Sequence, residues 1–158
     1  MRVAILTISD SVSRGTQKDA SGPSLRERCA QLGWEVVSQA VLPDEPAAIR
    51  ERLISLADHD TAELILTTGG TGIGPRDSTP EATAEACQKL LPGLSELMRT
   101  EGRKKSPRAV LSRAIAGVRG RALIVNLPGS PRGALESLDA VADLVPHALQ
   151  VLGGARHD

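Results

Sequence analysis

Residues 64–83 read LILTTGGTGIGPRDSTPEAT, and this stretch decides the fold. An apolar segment, Leu64-Ile65-Leu66, runs into Thr67-Thr68 and then into four glycines within six residues, Gly69, Gly70, Gly72 and Gly74. Arg76-Asp77 and a helix start at Thr79-Pro80 follow at once. Glycine permits positive φ and close approach of a bound group, so successive amides can converge on an anion. The helix beyond adds unpaired N–H groups and the positive end of its dipole. A strand, a glycine turn, an acidic residue and a helix in that order make a phosphate site with a carboxylate for a metal beside it. That order belongs to α/β proteins.

The same alternation continues in both directions. Arg2–Ile8, Trp34–Leu42, Leu64–Thr67 and Arg121–Asn126 read as strands, the first followed by a polar loop from Ser9 to Gly22. Helical spacing marks Pro23–Leu32, a helix after Pro43-Asp44-Glu45-Pro46 to about Ala57, one from Thr79, and a piece after Pro92-Gly93 ending near Gly102. A last helix is expected from Pro131 to about Leu152, bent at Pro146 and stopped by Gly153. It would bury Leu135, Leu138, Val141, Leu144, Val145, Ala148 and Leu149. Residues 106–120 give no clear pattern. The expectation is a three-layer α/β sandwich with a mostly parallel sheet covered by helices on both faces, formed by one domain over residues 1–158.

Composition narrows the function classes. Phe and Tyr are absent and Trp34 is the only aromatic, which argues against platforms that stack nucleic-acid bases. Nineteen basic and nineteen acidic residues cancel, yet between Arg99 and Arg121 eight positives face one negative, Glu101. That excess suits an anionic ligand, a solvated face or a contact with another subunit. Cys29 and Cys87 stand at no metal-ligand spacing, and with no signal peptide visible they read as free thiols of a reducing cytoplasm. No apolar run approaches the roughly 18 residues of a membrane span. His59, His147 and His157 are scattered, so zinc is not expected.

Ligands of open α/β sheets gather at the carboxyl ends of the strands. Four loops therefore meet on one edge: Ser9-Asp10, Pro43-Asp44-Glu45, Gly69 to Ser78, and Asn126 to Pro131. The glycine loop lacks the Gly-Lys-Ser/Thr of a P-loop and the G-x-G-x-x-G of a dinucleotide fold. Ser78 or Thr79 can cap the following helix, leaving Asp77 for a metal, with Asp44 the natural second carboxylate. The bland alternatives are that Asp77 is itself the cap and that Asp44 merely makes a turn. Arg76 could pair with a phosphate or with Asp77. Asn126 to Pro131 is a second strand-to-helix junction with anion-binding geometry, or a plain turn.

TTGGTGIGPRDSTPEAT, LPDE, AVLSRAIAGVRG and LIVNLPGSP together resemble the signature segments of the MogA/MoaB molybdopterin-binding family, which includes the G domains of gephyrin and its plant counterpart. The resemblance runs from LTISDS to PHAL, with one departure: Ser78 stands where these proteins usually carry Val. It implies a fold that assembles into trimers, sometimes hexamers, and molybdopterin adenylyltransferase activity. In that reaction the terminal phosphate of molybdopterin attacks the α-phosphate of MgATP and releases pyrophosphate. By motif, Asp44 and Asp77 are the acidic pair for Mg2+ and transfer. Thr68, Gly69, Gly70, Thr71 and Gly72 would cradle nucleotide phosphate, bordered by Ser9, Asp10 and Arg76. Ser112, Arg113, Asn126, Pro128, Gly129 and Ser130 would shape the pterin and nucleotide pocket. A molybdate-inserting protein would be a further partner; nucleic acid and membrane would not. The competing readings are a non-catalytic molybdopterin-binding or scaffold protein of the same fold, and an unrelated nucleotide-binding α/β domain.

Overall fold

The computed structural model describes residues 1–155. His157, read above as lying in a tail, falls outside them. The elements in chain order are β1 (Arg2–Ile8), α1 (Asp10–Ser13), α2 (Ser21–Gln31), β2 (Glu35–Leu42), α3 (Pro46–Asp58), β3 (Leu64–Thr68) and α4 (Thr79–Ala86). Then follow β4 (Lys89–Leu90), α5 (Pro92–Arg103), a 3-10 turn (Pro107–Leu111), β5 (Ala116–Arg119), β6 (Ala122–Leu127), α6 (Pro131–Val141) and α7 (Val145–Leu152). The strands form one sheet in the order β2-β1-β3-β6-β5-β4. The first four are mutually parallel, whereas β5 runs antiparallel to β6 and β4 antiparallel to β5.

The central strands are apolar at nearly every position because both of their faces are covered. Val3, Ile5, Leu64, Leu66, Leu123 and Val125 pack with Leu25, Cys29, Met98, Leu138 and Val141, from α2, α5 and α6. The alternate residues Ala4, Leu6, Ile65 and Ile124 pack with Ile49, Leu53, Leu56, Ala82 and Ala86, from α3 and α4. This is the expected three-layer arrangement. Both cysteines are free thiols, and burial pushes the pKa of each up to about 11. No helix among the described residues is long and apolar enough to cross a membrane.

Four local expectations need correction. The segment after β1 is not all loop: α1 forms under a Ser9 cap whose hydroxyl accepts from the Val12 N–H, and α2 begins at Ser21, ahead of Pro23. The sheet has two further strands, β4 and β5, so the unreadable segment supplies an antiparallel return. A two-residue turn at Gly120-Arg121 makes it, with Gly120 at φ +56. The last helix is broken before Pro146 rather than bent at it, by a 3-10 turn over Ala142–Leu144. Within a continuous helix Pro146 would remove one hydrogen bond and press on the carbonyl four residues back, but in the first turn of α7 its missing N–H is harmless. The break turns Leu144 outward, 46% exposed, instead of burying it.

Candidate active site at the carboxyl edge of the sheet

β1, β3 and β6 end side by side, and Gly69 lets the chain leave β3 between its neighbours. Its φ is +106, and a Cβ there would collide with the Ile8 carbonyl oxygen. The Gly69 N–H donates to the Leu127 carbonyl (3.1 Å), and the Thr68 hydroxyl donates to the Pro128 carbonyl (2.6 Å). Gly129 lies so close that its Cβ would stand 3.3 Å from the Gly69 Cα. The glycine loop and the 128–130 turn thus form one ridge across the sheet edge.

Asp44 sits at the end of β2 beside this ridge. Its Oδ2 accepts the Asp10 N–H (2.9 Å), while Asp10 Oδ1 accepts the Asp44 N–H (2.9 Å). The second carboxylate oxygen of Asp44, Oδ1, is buried without a partner, as are the hydroxyls of Ser78 and Thr79. A Cβ on Gly70 would fall 3.1 Å from that Oδ1 and also against the Thr79 hydroxyl, so both oxygens converge on the Gly70 backbone. Burial, reinforced by the negative charges of Asp10 and Asp77, raises the Asp44 pKa. An unpartnered buried carboxylate oxygen calls for a proton or a cation.

Asp77 folds back over the loop: its Oδ2 accepts the Gly74 N–H (2.9 Å) and faces Gly72 and Gly74. Ser78 occupies the N-cap position of α4 without making a side-chain cap, and neither it nor Thr79 serves the capping role considered above. Arg76 does not pair with Asp77. Its Nε and Nη2 donate to Asp10 (3.0 and 3.3 Å), and Nη2 also to Glu45 (2.7 Å). That hydrogen bonding holds the Asp10 pKa below the usual carboxylate range.

Two clefts flank the ridge. One, of about 320 Å³, is lined by Ser9, Asp44, Thr68, Gly69, Gly70, Asp77 and Gly129, together with Lys18 and Asp19. The other, of about 380 Å³, is lined by Thr71, Gly72, Ser112, Pro128 and Ser130, together with Arg99 and Arg108. The acids that flank the glycine loop therefore belong to one cleft and these arginines to the other.

Two residues expected at the pocket line neither cleft. Asn126 is fully buried: Nδ2 donates to the hydroxyls of Thr67 (3.0 Å) and Thr83 (2.9 Å), and Oδ1 accepts the Ile115 N–H (3.2 Å). Arg113 donates to the carbonyls of Gly72 (2.7 Å) and Asp77 (3.0 Å) and pairs with Glu81, bracing the glycine loop from outside. The positive run is accordingly divided. Arg119 is held by Asp58 (2.8 Å) and Lys104 by Glu101 (2.9 Å), whereas Arg99 and Arg108 reach a cleft. Sequence reasoning missed Asp19, whose oxygens accept the Thr7 hydroxyl (2.9 Å) and the Gly22 N–H (3.0 Å) and form a wall of the acidic cleft. Its signal was an acidic residue just ahead of Ser21-Gly22-Pro23.

Among the described residues no three His, Cys, Asp or Glu side chains gather as a metal cage. A cation at Asp44 and Asp77 would complete its shell with phosphate oxygens and water, as magnesium does. The unpartnered Asp44 oxygen fits such an ion.

Comparison with known proteins gives the family. The family described as a probable molybdopterin binding domain matches residues 4–147. The molybdopterin adenylyltransferase of Helicobacter pylori strain J99 is 40% identical over 156 residues, covering 98% of this chain and 89% of that protein. The molybdopterin adenylyltransferase of Escherichia coli K12 is 36% identical over 169 residues, covering 98% and 86%. Among solved structures, the molybdopterin biosynthesis enzyme MoaB of Thermus thermophilus superposes with a TM-score of 0.91 at 51% identity, covering 99% of each chain.

Proposed function

The chain belongs to the MogA/MoaB family of molybdopterin-binding proteins, and from that premise we propose that it is a molybdopterin adenylyltransferase. Relatives of that name, matched over nearly their whole length, support an enzyme of molybdenum cofactor biosynthesis. The AMP transfer itself is carried by one observation: a buried, unpartnered Asp44 oxygen faces the glycine ridge that separates an acidic cleft from a basic one.

In this reading the acidic cleft takes the triphosphate of ATP, and the basic cleft takes the phosphate-bearing pterin beside Arg99, Arg108 and Ser112. A phosphate oxygen of molybdopterin forms the new bond to the α-phosphorus, and the bond from that phosphorus to the bridging oxygen of pyrophosphate breaks. No side chain needs to remove a proton, since the nucleophile is already an anion near neutral pH. Magnesium held by Asp44 and Asp77 would neutralise charge that builds on the leaving pyrophosphate. The protein's own part is alignment. Gly69, Gly70 and Gly72 bring the backbone against the phosphates without side chains between, and the ridge sets nucleophile and α-phosphorus in line.

The reading is tested by pyrophosphate release from MgATP with and without molybdopterin, in the wild type and in Asp77→Asn. Release should require molybdopterin and fall by at least about a hundredfold in the variant, with its circular dichroism unchanged. Molybdopterin bound tightly without release would instead mark a binding protein. Unchanged turnover of Asp77→Asn at saturating magnesium would refute the role of that residue. The family resemblance further supports a homotrimer or hexamer in the cytoplasm, working with a molybdate-inserting partner.

A further inference from the structure

The ends of β1 and β2 and the end of the glycine loop are tied together by a chain of charge-assisted bonds. Asp10 and Asp44 exchange backbone N–H and carboxylate at 2.9 Å in each direction. Asp10 Oδ1 accepts from the Asp44 N–H and from Arg76 Nη2 together. The same Nη2 continues to Glu45, the residue after Asp44. Arg76 is also the immediate neighbour of Asp77, whose backbone N–H donates to the Gly74 carbonyl (3.1 Å). One guanidinium therefore bonds both Asp10, which clasps Asp44, and Glu45, which follows it in the chain.

We propose that Arg76 is a positioning residue acting through Asp10: it locks the Asp10–Asp44 clasp and, through the chain, fixes where Asp77 leaves the glycine loop. This deepens the adenylyltransferase reading and rests on it for its kinetic consequence. The alternative, direct binding of substrate phosphate, is disfavoured by the geometry. Two carboxylates already pair with the guanidinium, and its Nε–Nη2 edge is occupied by Asp10 and Glu45. Magnitude separates a positioning role from a stabilising one. Arg76 is 55% exposed, and ion pairs so exposed contribute little to folding. Misplacing a reacting group by about 1 Å can lower a rate by about a hundredfold. Loss of Arg76 should therefore show in geometry and turnover, and hardly in stability.

The test compares the wild type with Arg76→Gln and Arg76→Lys in the full chain, by amide hydrogen exchange and by MgATP kinetics with molybdopterin. In Arg76→Gln the Asp10 and Asp44 amides should lose about tenfold or more of their protection, while amides of β1 and β3 keep theirs. Turnover should fall about tenfold to a hundredfold with the MgATP KM within about twofold of the wild type, and Arg76→Lys should recover part of both. A KM raised about tenfold at unchanged kcat, with both amides protected as before, would make Arg76 a phosphate ligand and overturn the proposal. So would wild-type protection and wild-type kinetics together. If the wild type shows no turnover, the adenylyltransferase reading falls on that result, while the two amides still decide the clasp.

Discussion

Gly69 holds a conformation that other residues rarely adopt, at a point where a methyl group has no room. Replacing it by Ala adds left-handed backbone strain to a collision with the Ile8 carbonyl. Gly69→Ala should therefore cost about 3 kcal/mol or more, read as a lowered denaturation midpoint at unchanged slope. A midpoint equal to the wild type would show that the loop leaves β3 by another path. This glycine was legible in the sequence because a run of glycines after an apolar strand has few other uses. Asn126 was less so. An amide that closes a strand reads as the start of a loop, and nothing in the chain announces that Thr67 and Thr83 wait on neighbouring elements to accept from it. Arg76 shows the same limit. Its position beside Asp77 was plain, but its partners, Asp10 and Glu45, lie 66 and 31 residues away in sequence.

At the scale of elements, the parallel strands were readable because burial on both faces makes them continuous apolar runs. The antiparallel return was not. β4 has two residues and β5 four, too short for alternation to show, and only Gly120-Arg121 hinted at a hairpin. The break between α6 and α7 escaped for a different reason: apolar spacing continues across Ala142–Leu144, while the backbone must stop before Pro146. The hidden segment matters to the site because it delivers Arg113. That side chain ties the segment after the 107–111 turn to two points of the glycine loop, the carbonyls of Gly72 and Asp77. Arg113→Gln should free residues 72–77, raising their amide exchange about tenfold or more while core amides hold. Turnover should fall with it, since Asp77 sits within that segment. Equal exchange in the loop would mean that Arg113 does not brace it.

For the whole molecule, net charge is zero, yet the two clefts differ in charge. Asp44, Asp77 and Asp19 outnumber Lys18 in one cleft, Arg99 and Arg108 outnumber Glu136 in the other, and a ridge of glycines stands between them. Sequence reasoning gathered Ser9, Asp44, Asp77 and Gly129 on one edge, and they meet there, because a parallel sheet brings its strand ends together. It did not separate the clefts, since that depends on how the 128–130 turn packs against Gly69. In the proposed function, that division gives each of the two phosphate-bearing substrates its own cleft. The direct measurement is transfer of label from ATP labelled at the α-phosphate, incubated with magnesium, molybdopterin and the full chain. The account predicts that the label appears on molybdopterin in step with unlabelled pyrophosphate. Label that stays in ATP while molybdopterin is bound, or leaves only as free AMP, would contradict it.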